Sequence, residues 1–206
     1  MIEGIYFTQN LSRTWMEAPA EVKGYIEEAV LHYINEFEQG RKHHNDASLA
    51  YTVMGMVDQA MKERVDWNMV RCKKGCAFCC HINIDMTLAE AEVIVQYCKD
   101  NDIAINEKLL EIQKSLTIQQ RNAHKDNRCA FLSPDNTCSI YEVRPLACRK
   151  YIVASKPKHC DASKGTREVA VISELRTEIL ISAYSTLKMM FGNMSQMTLK
   201  ALKDAG

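Results

Sequence analysis

Apolar residues recur at helical spacing along much of the chain, and this pattern predicts a mainly helical fold. One apolar stripe runs through residues 21–38 and a second through residues 49–65, where the methionines are interpreted as core filler. A polar break separates the two stripes, and Asp46 at its end is predicted to cap the second helix. Thr87 and Glu90 then form a capping-box pattern, which predicts the start of a third helix.

The second half of the chain combines predicted helices with an irregular stretch. Helices are predicted over residues 106–121 and from Thr166 to Phe191, with a short helix after them. Residues 126–165 hold three of the four prolines and show little periodicity. So long a stretch without regular structure is unusual in a compact domain, and its four spaced cysteines are expected to fix it in place.

These patterns predict a single domain over residues 1–206. Helices at the N- and C-terminal ends form a scaffold that flanks a metal-stapled, cysteine-rich segment over residues 70–165. Any strands are expected to be short and to lie within residues 129–153.

Charge and hydropathy limit the location and the partners of the protein. The 26 lysines and arginines balance 26 aspartates and glutamates, so we expect no general affinity for nucleic acid or for an anionic membrane. The N-terminus lacks the basic and apolar regions of a signal peptide, and no apolar run is long enough to span a bilayer. The protein is therefore expected in the cytoplasm. Its expected partner is a metal ion, and the sequence does not indicate a protein partner.

Nine cysteines in a reducing compartment indicate metal or redox chemistry rather than a disulfide framework. Four of them lie within the run RCKKGCAFCCH: Cys72, Cys76, Cys79 and Cys80. Four more are spread through the irregular stretch: Cys129, Cys138, Cys148 and Cys160. Eight thiolates suffice for two tetrahedral sites, or for one site and a cluster, if the second set folds back onto the first. Cys98, on the apolar face of the third helix, is interpreted as a buried hydrophobic residue.

The adjacent pair Cys79 and Cys80 limits how the ligands can be shared. Neighbouring side chains diverge, so we expect the pair to ligate two adjacent sites, or one thiolate to ligate while the other bridges or stays outside the ligand set. Packed thiols or a vicinal disulfide are the alternative. Arginines and lysines close to these cysteines in sequence, Arg144 and Arg149 above all, are expected to offset the negative charge of bound thiolates.

Several motifs around the cysteines together resemble one known family. The run CKKGCAFCC is followed by CAFLSPDNTCSIY, then by RPLACRKY and finally by HC, so that the motifs cover roughly residues 70–165. This pattern resembles the YkgJ-type cysteine-cluster family, which is described as a zinc- or iron-chelating domain. The resemblance implies metal binding, and all-thiolate sites suit both Zn²⁺ and iron, including a [4Fe-4S] cluster.

Three functions are open at this point, and no catalytic residue is assigned. The first is a cytosolic metal-binding protein that chelates zinc or iron through the eight cysteines. The second is an iron–sulfur enzyme, possessing methyl-transfer activity by analogy with flagellin lysine N-methylase, the best-known enzymatic relative in the family. The third is radical S-adenosylmethionine chemistry, because three residues separate Cys72 from Cys76 where the family usually has two. The strand–helix alternation of that enzyme class is missing from the pattern, which counts against the third function. The sequence also lacks a glycine-rich nucleotide loop and a Cys/His or Ser/His catalytic pair placed by a motif, so binding is favoured over catalysis.

Overall fold

The computed structural model describes residues 4–117, 120, 127–161 and 168–206. Its α-helices are α1 (Gln9–Glu17), α2 (Ala20–Arg41), α3 (Asp46–Arg64), α4 (Leu88–Asp100), α5 (Glu107–Gln113), α6 (Leu146–Lys150), α7 (Leu175–Thr186) and α8 (Met194–Ala205). Its strands are β1 (Asp85–Thr87), β2 (Ile152–Val153), β3 (Val171–Ile172) and β4 (Phe191–Asn193), and its 3₁₀-helices are Phe78–His81, Tyr141–Val143 and Pro157–Cys160. The predicted mainly helical fold with short strands is confirmed. Within the described part of the chain, none of the helices has the length and apolar character needed to cross a membrane.

Among the described α-helices, all except α2 and α6, which follow prolines, begin where a side chain accepts hydrogen bonds from free backbone N–H groups. At α4 the Thr87 hydroxyl accepts from the Glu90 amide and the Glu90 carboxylate accepts from the Thr87 amide, so the predicted capping box is confirmed. At α3 the cap is Asn45 rather than the predicted Asp46, because the Asn45 side-chain oxygen accepts from the Ser48 amide at 2.8 Å. Asp46 is the first helical residue, where its carboxylate suits the helix dipole.

The chain forms two compact units, and the first comprises Met1–Val65 and Ser173–Met189. In this unit α7 packs against α1, α2 and α3. Eight consecutive residues of α7, from Thr177 to Tyr184, are buried, so this helix has no solvent-facing side along that stretch. Glu178 is among them, and its carboxylate accepts a hydrogen bond from the Thr8 hydroxyl. A buried polar contact thus ties the N-terminal segment to α7.

The second compact unit comprises Asp66–Ile172 and Met190–Gly206. In this unit α8 packs against α4 and α5. The strands β1 and β4 pair antiparallel, with Met86 opposite Gly192, and lead directly into α4 and α8. The two short strands therefore hold the starts of these helices side by side. The prediction of a single domain stays a prediction.

A hydrophobic core joins α4 and α8 to the irregular, cysteine-rich stretch. Its members are Met86, Ala91, Ile94, Val95, Cys98, Met194, Met197 and Ala201 from β1 and the two helices, and Phe131, Ile140 and Val143 from the irregular stretch. The last three lie between Cys129 and Cys148 in the sequence and are at most 3% exposed. Burial of apolar side chains therefore fixes this stretch, in addition to whatever its cysteines bind.

The helix predicted from Thr166 to Phe191 is wrong at both ends. Its first residues up to position 167 lie outside the described residues, and β3 follows, with Val171 opposite Val153 of β2. Glu174 then caps α7 by accepting hydrogen bonds from backbone amides of the first turn, and the helix ends at Thr186. Pairing with β2 outweighs the helical pattern here because β-branched residues suit an extended backbone.

Two further expectations about regular structure are corrected. The strands β1, β3 and β4 lie outside residues 129–153, the range in which strands were expected, because each pairs with a partner that is distant in sequence. Of the helix predicted over residues 106–121, α5 covers Glu107–Gln113, and residues 118, 119 and 121 lie outside the described part.

Ile94 is fully buried in the core of the second unit, so Ile94→Ala should lower the free energy of unfolding by about 2–5 kcal/mol. Denaturant unfolding followed by circular dichroism measures this loss. Ile112→Ala is the matched control, because Ile112 on α5 is 43% exposed. The control should cost about 1 kcal/mol or less, and equal losses in the two variants would contradict the position of the core.

Candidate metal centre

The upstream cysteines lie on a loop that backbone hydrogen bonds hold at both ends. At its start the Arg71 amide donates to the Val153 carbonyl at 2.8 Å, and at its end the Cys129 amide donates to the Cys80 carbonyl at 2.7 Å. Gly75 turns the chain between them with a φ of 82°, a conformation that favours glycine. The loop carries the exposed thiol of Cys72 and the partly buried thiols of Cys76, Cys79 and Cys80.

The downstream cysteines lie on short elements of the same compact unit. Cys138 forms an isolated β-bridge with Leu132. Cys148 lies on α6, and Cys160 is the last residue of the 3₁₀-helix Pro157–Cys160. That 3₁₀-helix contacts the 3₁₀-helix Phe78–His81 of the upstream loop. The chain thus folds the downstream stretch back onto the upstream loop.

One group of thiols surrounds Cys148. Burial raises the pKa of the Cys148 thiol well above its usual value, and the charges of Cys129, Cys79 and Cys138 raise it further. Burial also raises the pKa of Cys138, and the charge of Cys79 adds to that shift. Ionisation of any of these four thiols therefore opposes ionisation of the others.

A second group of thiols surrounds Cys160. Burial is the main cause that raises the pKa of Cys160, and the charges of Cys72, Cys79 and Cys76 contribute as well. Cys79 therefore belongs to both groups. Its own pKa is raised first by a hydrogen bond with Cys80 and then by burial. Cys79 and Cys80 lie on the 3₁₀-helix that contacts the one ending at Cys160, and the Cys80 carbonyl accepts from the Cys129 amide.

Cys98 differs from the eight candidate cysteines, although none of the nine, all of them within the described residues, forms a disulfide. It is 2% exposed in the hydrophobic core, and burial raises its pKa to about 11 without a contribution from another thiol. Its interpretation as a small buried hydrophobic residue is confirmed.

Arg144 supplies positive charge beside the thiols. Its guanidinium lies over the Tyr141 ring, 3.8 Å from the centroid, and donates to the Tyr141 carbonyl at 2.8 Å. Burial raises the pKa values of Cys138 and Cys148, and the charge of Arg144 opposes that rise. This placement agrees with the charge compensation expected of Arg144.

Arg149 holds the backbone of the turn before Cys148, and its expected role in offsetting thiolate charge stays a prediction. It is 2% exposed, and its guanidinium donates to the carbonyl of Arg144 at 2.8 Å and to the carbonyl of Glu142. Its charge also opposes the rise in the pKa of Glu90 that burial causes. A guanidinium has five donors, so one buried arginine can satisfy several carbonyls of a turn at once.

Tyr151 is a residue of this site that the sequence patterns did not indicate. Burial raises the pKa of its hydroxyl to about 12, and the charges of Cys160 and Cys79 and a hydrogen bond with Cys160 add to the shift. Its position three residues after Cys148 is visible in the sequence. Which cysteine it reaches depends on the fold.

The thiols are gathered, but they do not surround a single point. Among the residues that the structure describes, no three or more histidine, cysteine, aspartate or glutamate side chains form a group that could hold a metal ion as they are placed. The donor chemistry fits zinc and iron, since both take thiolates in sets of four. A bound cation would also offset the like charges that raise the thiol pKa values.

Residues 71–170 match the model of a protein family described as "CxxCxxCC: Putative zinc- or iron-chelating domain". The match covers the segment that holds all eight candidate cysteines, so the resemblance inferred from the motifs is confirmed. The description supports metal binding by the domain. No curated protein and no solved structure shows significant similarity to the chain.

Arg149→Ala should lower the free energy of unfolding by about 3 kcal/mol, because it removes a buried donor from two carbonyls and a cation from beside Glu90. Urea unfolding of the metal-free protein measures the loss. Arg144→Ala is the control and should cost about 1 kcal/mol or less, since its cation–π contact and hydrogen bond are near the surface. If both variants lost the same stability, the different roles assigned to the two arginines would be wrong.

Proposed function

We propose that this protein binds zinc or iron through the thiolates of Cys72, Cys76, Cys79, Cys80, Cys129, Cys138, Cys148 and Cys160. The observation that carries the proposal is the contact between two separate cysteine-bearing stretches within the segment that matches a chelating family: the Cys129 amide donates to the Cys80 carbonyl, and the 3₁₀-helix ending at Cys160 contacts the 3₁₀-helix Phe78–His81. Partly buried thiols that hinder one another's ionisation are unfavourable neighbours unless a cation joins them. Their gathering therefore favours metal ligation over a role in packing.

The two groups of thiols support two adjacent four-thiolate sites. Cys129, Cys138 and Cys148 would supply three ligands of one site, and Cys72, Cys76 and Cys160 three ligands of the other. Cys79 is close to both groups and hydrogen-bonded to Cys80, so each member of this pair can complete one site. Because the thiols do not yet surround a point, binding would draw each group of four together.

The ligand set favours a metal-binding role in the cytosol over a catalytic role. Four thiolates around zinc leave no coordination position for a substrate, and such sites stabilise folds directly. Iron would be held as an iron–sulfur cluster by the same ligands. The strands in the described residues are two or three residues long and pair antiparallel, so the parallel barrel of radical S-adenosylmethionine enzymes has no counterpart there.

The metal content of the protein tests the proposal directly. Anaerobically purified protein should hold about two zinc ions per chain and be colourless, or hold iron with inorganic sulfide and be brown. Elemental analysis, sulfide determination and the visible spectrum distinguish these results. A properly folded chain that takes up neither metal would contradict the proposed function.

Loss of a single ligand should have a large effect on the loaded protein. Cys148→Ala should lower the zinc content by about one ion per chain, and it should destabilise the protein severely, because a structural thiolate site contributes on the order of 10 kcal/mol to folding. Elemental analysis and thermal unfolding of the loaded protein measure both effects.

Cys98→Ala is the matched control, because Cys98 lies in the hydrophobic core of the same unit. It should keep the full metal content and cost about 1 kcal/mol or less. Full metal content in Cys148→Ala would show that Cys148 is not a ligand.

A further inference from the structure

The downstream cysteines are carried by backbone that apolar packing and buried hydrogen bonds hold in place. Phe131, Ile140 and Val143 are buried in the core with α4 and α8, and Leu146 at the start of α6 is 3% exposed. These apolar residues lie between Cys129 and Cys148 in the sequence, with Cys138 among them. Apolar burial sets the approximate position of this stretch. Hydrogen bonds with two buried polar side chains then fix the position of its backbone more precisely.

Glu90 connects the helical frame to the backbone before Cys148. One of its carboxylate oxygens accepts from the Thr87 amide at 2.8 Å, within the capping box of α4. The other oxygen accepts from the Leu146 amide at 2.9 Å. Leu146 begins α6, which carries Cys148. The bond to Leu146 is additional to the capping box, and Glu90 is 3% exposed, so water does not compete for it.

Gln113 makes the equivalent connection beside Cys129. It is 1% exposed at the end of α5, and its side-chain amide donates to the Arg128 carbonyl at 2.8 Å. Its side-chain oxygen accepts from the Ser195 hydroxyl of α8 at 3.3 Å. Buried polar side chains bonded at both ends specify one backbone position. Gln113 thereby links two helices to the residue that directly precedes Cys129.

We propose that Glu90 and Gln113 are positioning residues of the metal site, which hold the backbone beside Cys148 and Cys129 in place before metal binds. This inference rests on the proposed function. The metal would then meet thiols that are already placed and would need to draw in the loop around exposed Cys72. A partly formed site loses less conformational freedom on binding, so its metal affinity is higher.

Titration with Co²⁺ alone tests this positioning role. Metal-free wild type, Glu90→Gln and Gln113→Leu would be titrated anaerobically against a competing chelator, with thiolate-to-cobalt absorption as the readout. Glutamine has a single acceptor oxygen, so Glu90→Gln leaves either the Thr87 or the Leu146 amide without its partner. Each variant should bind as many ions as the wild type, with a dissociation constant about 10–100-fold weaker and an altered cobalt spectrum.

Glu178→Gln is the matched control for a buried glutamate that does not touch the site. Glu178 is 2% exposed in the first compact unit and accepts from the Thr8 hydroxyl and from the Asn10 side-chain amide. The control should lower the stability of the metal-free protein and leave the cobalt affinity unchanged. If Glu90→Gln does not fold, Gln113→Leu carries the comparison.

Hydrogen exchange in the metal-free protein gives a second, independent measurement. The Leu146 amide should be protected in the metal-free wild type and should lose that protection in Glu90→Ala, because this change removes the carboxylate that is its acceptor. Rapid exchange of this amide in the wild type would overturn the inference.

The possible failures of the inference and of the proposed function can be told apart. Unchanged cobalt affinity in Glu90→Gln and Gln113→Leu, beside a wild type that binds cobalt, would overturn the positioning role alone. An equal loss of cobalt affinity in Glu178→Gln would also overturn it. The loss would then reflect the lower stability of the protein and not the positioning of the ligands. A folded wild type that binds no cobalt would overturn the proposed function and this inference with it.

Discussion

Thiolates repel one another, and burial makes their ionisation more costly still, so the cysteine-rich domain depends on how this repulsion is relieved. Burial and neighbouring charge both raise the pKa values of Cys148 and Cys160, and Arg144 offsets part of the shift at Cys148. A single guanidinium balances one charge, whereas eight thiols can develop eight. A bound metal cation is the strongest charge that such a set can meet, and it removes the protons that burial would otherwise retain.

The rest of the domain is a frame that brings the thiols together before any cation joins them. Apolar burial between α4, α8 and the irregular stretch supplies most of the attachment. Buried Glu90, Gln113 and Arg149 then bind backbone groups close to the cysteines. Apolar contacts tolerate small shifts, while a buried hydrogen bond tolerates few, so the polar residues decide where the backbone lies. This division explains how a stretch with little regular structure keeps a defined path.

Sequence patterns predicted those elements whose stability is local. The capping box of Thr87 and Glu90 depends on residues three apart, and each helical stripe depends on neighbours in the same helix. The same patterns gave wrong predictions where a partner distant in sequence determines the secondary structure. Val171, for example, pairs with Val153 in a sheet and is not part of a helix. Sequence patterns could not predict the second hydrogen bond of Glu90 for the same reason, because its partner Leu146 lies 56 positions away in the sequence.

The sequence by itself determined the kind of chemistry, because a thiol is a soft ligand wherever it lies and eight of them fall in family motifs. It also determined that Cys98 stands apart, through its place on an apolar helical face. Only the tertiary structure decided which cysteine-bearing segments meet: the Cys80 carbonyl accepts from the Cys129 amide, and the 3₁₀-helix ending at Cys160 contacts the one that carries Cys79. It likewise separated the roles of Arg144 and Arg149, since burial and side-chain direction depend on packing across the whole unit and not on distance along the chain.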